Sequence, residues 1–404
     1  MQIFFVRLLY ETGIYFLNII TSFYLSDLSI QQYEDGRPPS TVPTSFKDIA
    51  DESFGTATGY ALAALSVLFN YCILIFGMIR FGDTLSDVLS GLVMNQEFNP
   101  SYLSIGYASA LTMTIASLSN VALSKFSSVF VAILFTSFIG LLVPGIQNSD
   151  WSTFVSNSGG YFHGTTFSEI VTSFIIAGPI VTYVMEIQKI VPSVTKLCNF
   201  DRKLSRRAIV TGNSLPLIMY LSYIFISLGG DSFLTEDNSL FLAFTFASIF
   251  GSSIASSMSL SEEFESFLTL STNSNSELLT PLLEPSDIEE TEDSYQVNYS
   301  IGAVLLSIIP PLLIGLQLSS GGDKENVAAS LDFAGGYLTP LFIWLFPSAL
   351  AWKKLEDDKA TNVETNGVKS FFDKVCIVIA FSSTVVVIGL ELLKDFGEDL
   401  IQQI

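Results

Sequence analysis

Ten stretches of this chain carry almost no charge, and most are as long as a bilayer crossing: 12–26, 54–79, 98–124, 126–149, 170–185, 208–230, 238–261, 294–322, 333–352 and 375–390. A hydrocarbon core of about 30 Å takes roughly 20 apolar residues in a helix. In lipid every backbone amide must be paired internally, and these runs are too long and too uniformly apolar for barrel strands, which alternate with a period of two. The expected fold is therefore all-α: a polytopic membrane protein with about ten transmembrane helices, near 5–28, 56–80, 101–121, 126–146, 167–190, 208–229, 238–260, 299–318, 332–352 and 371–393. They form one transmembrane domain over 1–404. Composition agrees, because 49% hydrophobic against 14% charged residues leaves too few charges to solvate a 404-residue globule.

The formal net charge of −21 is partly local. Glu262, Glu263, Glu265, Glu277, Glu284, Asp287, Glu289, Glu290, Glu292 and Asp293 sit in one stretch without Lys or Arg. Rich in Ser, Thr, Asn and Glu, the segment 262–296 reads as an acidic, disordered cytoplasmic insert, either a solvated spacer or a partner-binding tail. The sign of the charge does not support nucleic acid as a partner. Cys72 and Cys376 lie in apolar runs and Cys198 in a basic loop, with no metal or redox spacing, and the single histidine, His163, cannot assemble a histidine metal site or triad.

Orientation follows from the basic residues. Lys189, Lys196, Arg202, Lys203, Arg206 and Arg207 share one connection with Asp201 alone, which places it on the cytoplasmic side. Counting crossings outward puts Lys125, the acidic insert, and Lys353, Lys354, Lys359, Lys369 and Lys374 on that same side. Both termini then fall outside. Asn298, in a glycosylation pattern with Ser300, falls on or near the cytoplasmic side and stays unmodified. Met1 runs straight into apolar residues with no signal or transit leader, and the chain is expected to begin inside a helix with a further one before it. The pattern does not separate a plasma membrane from an organelle (plastid) membrane, nor does it give the oligomeric state.

Helices that hold a solute at mid-membrane need local breaks, where freed carbonyls and amides supply ligands. Four places are candidates: Gly178 and Pro179, followed by Tyr183 and Glu186; Phe250 to Ser253, with Ser256 behind; Pro310 and Pro311; and Gly335, Gly336 and Pro340. A packing kink is the other reading at each, since Gly and Pro are common in membrane helices. Glu186 is either a functional carboxylate at membrane depth or a residue already at the interface beside Lys189. Glu11 stands one turn from Arg7 as a paired helix-end residue.

The segment Val191, Pro192, Ser193 through Asp201, Arg202, Lys203 and Arg206, Arg207 to Gly212, Asn213, Ser214, Leu215, Pro216, Leu217 resembles the tryptophan and tyrosine permeases, the hydroxy and aromatic amino acid permease family of the amino acid, polyamine and organocation superfamily. The small-residue stretch 247–267, Pro310, Pro311, Leu312, and the run from Ala334, Gly335, Gly336 to Pro347, Ser348, Ala349, Leu350 extend that resemblance in the same order. The resemblance implies a five-plus-five inverted-repeat transporter fold whose first and sixth helices break around the substrate. On that plan 12–30 is the second helix, 170–190 the sixth, and the first has no counterpart. Bacterial members carry a Gly, aromatic, His, Gly stretch where this chain reads Glu186, Ile187, Gln188, Lys189.

The resulting expectation is a secondary active symporter of amino acids, with aromatic ones as candidates, working by alternating access. Gly178 and Pro179 open the broken helix, Tyr183 and Glu186 line the cavity, and Ser252, Ser253 and Ser256 offer hydroxyls, giving an amino acid substrate site. No cofactor is expected beyond a coupling ion, H+ or Na+, and no nucleotide-binding Gly-x-x-x-x-Gly-Lys pattern is present. The alternative is a transport-inactive sensor or scaffold acting through its acidic loop. An intramembrane enzyme is disfavoured by the scarcity of His and Asp in the runs.

Overall fold

The computed structural model describes residues 2–39, 41–43, 45–93, 98–148, 182–183, 186–229, 239–276, 299–320, 330–360 and 367–401. Helix is the only regular secondary structure among them. The main elements are α1 (Gln2–Glu34), α2 (Phe46–Phe54), α3 (Thr56–Leu92), α4 (Pro100–Ser117), α5 (Asn120–Asn148), α6 (Val191–Leu197), α7 (Arg202–Gly229), α8 (Ser239–Ser276) and α9 (Ile301–Ser320). Two π segments, Ala334–Leu338 and Leu341–Leu345, lead into α10 (Phe346–Ala360), and α11 (Gly367–Ile401) follows. Seven stretches of these helices are long and apolar enough to cross a membrane: Glu11–Glu34, Thr56–Leu92, Ala122–Gln147, Ser239–Glu265, Ile301–Ser319, Ser330–Asp357 and Asp373–Leu392. The expectation of an all-α polytopic membrane protein holds. Of the remaining expected crossings, 101–121 and 208–229 fall on α4 and α7, and most of 167–190 lies outside the described residues.

Local chemistry sets the helix ends. Asn99 accepts a hydrogen bond from the Ser101 N–H while Pro100 takes the first helical position of α4, where no N–H is needed. The one acid in the basic connection acts in the same way, for Asp201 Oδ1 accepts from the Leu204 N–H at 2.7 Å and starts α7. Gly55 closes α2 at φ 92°, a backbone conformation that a side chain would strain.

The chain divides into two compact units. The first comprises 1–62, 142–233 and 331–404. Its core joins Ile14 and Leu17 of α1 to Ile343, Trp344 and Ala380, with Leu217 and Tyr220 of α7 packed alongside. At one end, Arg206 spans both carboxylate oxygens of Asp27 at 2.9 and 3.2 Å, and Lys353 donates to the Ser53 carbonyl. Lys196 shares a concavity with Asp48, Asp51 and Glu52. Segments assigned to the cytoplasmic side by their charge therefore gather there. α2 is seated by Phe46 against Phe342 and Phe346, and its Lys47 is almost fully buried with Asp51 at 3.1 Å and Asp48 at 3.5 Å. Burial opposes the Lys47 charge, but the hydrogen bond to Asp51 and the charges of both aspartates outweigh it and hold this ammonium above the ordinary lysine range.

The second unit comprises 63–141 and 234–330. Leu74, Met78 and Phe81 of α3, Tyr107 and Leu111 of α4, Ile249 and Ile254 of α8, and Val304 and Ile308 of α9 form its core. Phe81 stacks on Tyr107 at 4.1 Å, and Phe250 meets both edge-on. Two candidate breaks fall in this unit, and neither is one. α8 runs unbroken through Gly251. α9 continues through Pro310 and Pro311, because Tyr71 of α3 donates at 2.8 Å to the Leu306 carbonyl, the group that Pro310 has no N–H to satisfy. The first part of the expected acidic insert, 262–276, is helical. α8 extends to Ser276; within it Glu262 accepts from the Tyr299 hydroxyl, and Glu265 accepts from both the N–H and the Oγ of Ser300 at the start of α9. A carboxylate at a helix N-terminus meets unpaired amides and the positive end of the dipole, which orders these residues. Residues 277–296 of the insert lie outside the described residues.

Candidate functional site

A polar seam runs along one face of α1. Glu11, Asn18, Ser22, Ser26 and Ser29 follow at steps of 7, 4, 4 and 3 and are all buried. Such spacing puts them on one side of a helix, and in lipid that side must face protein. The partners come from three other segments of the first unit. Trp344 Nε1, in the second π segment, donates to Asn18 Oδ1 at 2.9 Å. The fully buried Gln188 donates through Nε2 to the Asn18 carbonyl at 3.3 Å and to Thr21 Oγ1 at 3.1 Å, while its Oε1 accepts from the Ile187 N–H at 3.0 Å. Lower down, Thr195 of α6 donates to Ser26 at 3.0 Å, or accepts from it.

The segment that carries Gln188 is irregular. Thr182 and Tyr183 are helical, Glu186 and Ile187 belong to no regular element, and a single 3-10 turn, Gln188–Ile190, precedes α6. The Glu186 N–H is held by the Tyr183 carbonyl at 3.2 Å. Its carboxylate lies near the Lys189 ammonium and accepts from the Lys189 N–H, while Oε1 is enclosed and meets no donor among the described residues. The Lys189 Nζ stands 4.9 Å from the centroid of the Phe342 ring, itself fully buried in the second π segment. A non-helical backbone, a carboxylate with one open oxygen, a cation over an aromatic face and a buried amide therefore meet where α1, the 3-10 turn and the second π segment adjoin. This arrangement can hold a small cation or an amino group.

The π segments mark the fourth candidate break. Gly336 lets Glu391 of α11 approach so closely that a Cβ there would stand 2.7 Å from Glu391 Cγ. Thr339 Oγ1 donates to the Ala334 carbonyl at 2.8 Å, and Thr384 of α11 reaches the Pro340 carbonyl at 3.4 Å. The helix widens here and does not stop, as expected where Pro340 removes a donor.

Of the residues expected at the site, Gly178 and Pro179 lie outside the described residues. Tyr183 and Glu186 are half-buried and joined by the backbone hydrogen bond above. Ser252, Ser253 and Ser256 belong to α8 in the second unit. Ser252 is exposed and donates to its own helix at the Ile249 carbonyl, 3.1 Å away. Ser253 and Ser256 are buried, and Ser253 packs where a Cβ on Gly77 of α3 would come within 2.9 Å of its Oγ. That contact is what small residues do between membrane helices. Gln188, Asn18, Thr21 and Trp344 were not expected at the site. The seam's spacing within an apolar run is the signal that could have found the α1 members; nothing local marks Trp344. The family model described as the tryptophan/tyrosine permease family matches residues 3–389. No curated protein matches the chain.

Proposed function

Since the chain belongs to the tryptophan/tyrosine permease family and so is an amino acid transporter, we propose that it is a cation-coupled symporter whose coupling ion binds at Glu186. The observation that carries this reading is the open Oε1 of Glu186 on an irregular segment. An unpaired acceptor in a dry setting costs several kcal/mol and survives where a ligand completes it. One carboxylate oxygen suffices for a proton, and we take the proton as the coupling ion. Gln188, Asn18 and Trp344 fix the segment against α1, and Lys189 over Phe342 offers a positive charge for the substrate carboxylate. Tyr183, joined to Glu186 through the backbone, belongs to the same segment. Alternating access needs two bodies that each keep their own packing while access changes, and each unit has its own core.

Uptake of labelled tryptophan and tyrosine into proteoliposomes tests the proposal. An inward proton gradient should drive accumulation and a sodium gradient should not. Glu186→Gln should abolish gradient-driven accumulation while leaving counterflow exchange largely intact. Equal accumulation by the variant and the parent would remove Glu186 from the mechanism, and no uptake under any gradient would favour a sensor.

A further inference from the structure

The first turns of α7 expose a strip that is basic and apolar at once. Lys203, Arg207 and Val210 follow at steps of 4 and 3, which sets them on one side of the helix, with Leu204 beside Lys203, and all four are exposed. The opposite arc of the same turns is committed: Arg206 holds Asp27 at 2.9 Å, and Arg202 reaches Asp27 at 3.5 Å and Glu34 at 3.8 Å. Lys203 and Arg207 have no ion-pair partner among the described residues. Asp201, the one acid of this connection, turns its Oδ1 onto the Leu204 N–H. Lys196 lies against the concavity of Asp48, Asp51 and Glu52, apart from the strip.

The apolar members define the partner. Leu204 is 52% exposed, and Leu197, the last residue of α6, is 82% exposed. Thr195 and Arg206 meet α1 at neighbouring residues, Ser26 and Asp27, so the end of α6 and the second turn of α7 lie at one depth. The expected crossing 208–229 starts one residue past Arg207, which puts that depth at a membrane edge. A free phosphate would meet the cations and leave both leucines in water, and a zwitterionic lipid would bring its own cation towards Arg207. An anionic lipid answers both features. The Arg207 guanidinium can present two parallel N–H groups to phosphate oxygens, and Lys203 stands one turn before it on the same side. We propose that this strip binds an anionic phospholipid of the adjoining leaflet, its phosphate on Arg207 and Lys203 and the head of its acyl region against Leu197 and Leu204.

Native mass spectrometry of the purified full chain, incubated with equimolar phosphatidylglycerol, phosphatidylethanolamine and phosphatidylcholine of identical acyl chains, tests this. Retention of phosphatidylglycerol should exceed that of either zwitterionic lipid roughly five- to thirtyfold, the range of one or two basic residues at an anionic surface. The double variant Lys203→Gln, Arg207→Gln should level the three lipids. Leu197→Ser with Leu204→Ser keeps every charge and should lower retention of all three. Lys125→Gln removes an exposed cation of the second unit and should leave the preference at the parent's value. Equal retention of the three lipids by the parent, an undiminished preference in the charge variant, unchanged retention in the leucine variant, or a preference lost as fully in Lys125→Gln would overturn the assignment.

Discussion

Replacing Tyr71 by phenylalanine removes one oxygen and leaves the ring in place beside Phe264, 6.4 Å between centroids. Pro310 cannot donate to the Leu306 carbonyl four residues before it, and the Tyr71 hydroxyl at 2.8 Å is the donor that takes over. Hydrocarbon offers no water as a substitute. Tyr71→Phe should therefore cost about 1–3 kcal/mol, the penalty of an acceptor left unsatisfied, or roughly a 5- to 150-fold fall in the folded-to-unfolded ratio. Pro310→Ala restores the helix's own N–H, so in that background Tyr71→Phe should cost under about 0.5 kcal/mol. Reversible unfolding in mixed micelles of the parent, the two single variants and the double variant closes the cycle. Additive effects would show that the tyrosine does not stand in for the missing amide, and the account of how α9 survives its two prolines would fail.

Other perturbations follow from the same contacts. Gln188→Leu keeps the side chain's bulk but deprives the Ile187 N–H and Thr21 of a partner, and should cost about 2–4 kcal/mol in the same unfolding assay; an unchanged midpoint would refute the role of this amide. Gly336→Ala should destabilise by about 1–3 kcal/mol because Glu391 must move, whereas Gly251→Ala, with open space around its added methyl, should gain about 0.5–1 kcal/mol. The two must shift thermal midpoints in opposite directions. Because the Lys47 ammonium titrates above its ordinary value near 10.5, what it contributes to the seating of α2 is complete below that pH and is lost as the pH rises through the folded value. Protease protection of the 37–55 connection should stay flat from pH 6 to about pH 10 and fall above it, and Lys47→Met should remove the alkaline step.

The apolar runs were legible because length and lack of charge are one-dimensional properties, and α1, α3, α5, α8, α9, α10 and α11 all carry one. The meaning of a proline was not. Pro310 and Pro340 look alike as residues, yet α9 stays α-helical through a donor 235 positions away in the chain, while the helix holding Pro340 widens into π turns. Glu262 and Glu265 read as part of a solvated acidic run because composition cannot show that Tyr299 and Ser300 return to meet them. Glu186 was legible as a charge at the edge of an apolar run, and its irregular backbone agrees with a proline and glycine upstream. Gln188 was visible as a polar neighbour, but its anchoring to α1 depends on the tertiary fold alone.

The two π segments make the geometry of the 330–357 helix a matter of counting. Each residue added to or taken from a helix turns everything beyond it by about 100°. Gly336 must meet Glu391, Trp344 must meet Asn18 and Lys353 must meet Ser53, three appointments kept on one rod. Excision of a single residue from 341–345 would relax the wide turn to ordinary helix and leave Lys353 facing α2, because the wide turn holds one residue more than an ordinary one, whereas excision between 346 and 353 would turn Lys353 away. The rod should therefore tolerate the loss of one residue at a wide turn and refuse it in the regular helix between its contacts.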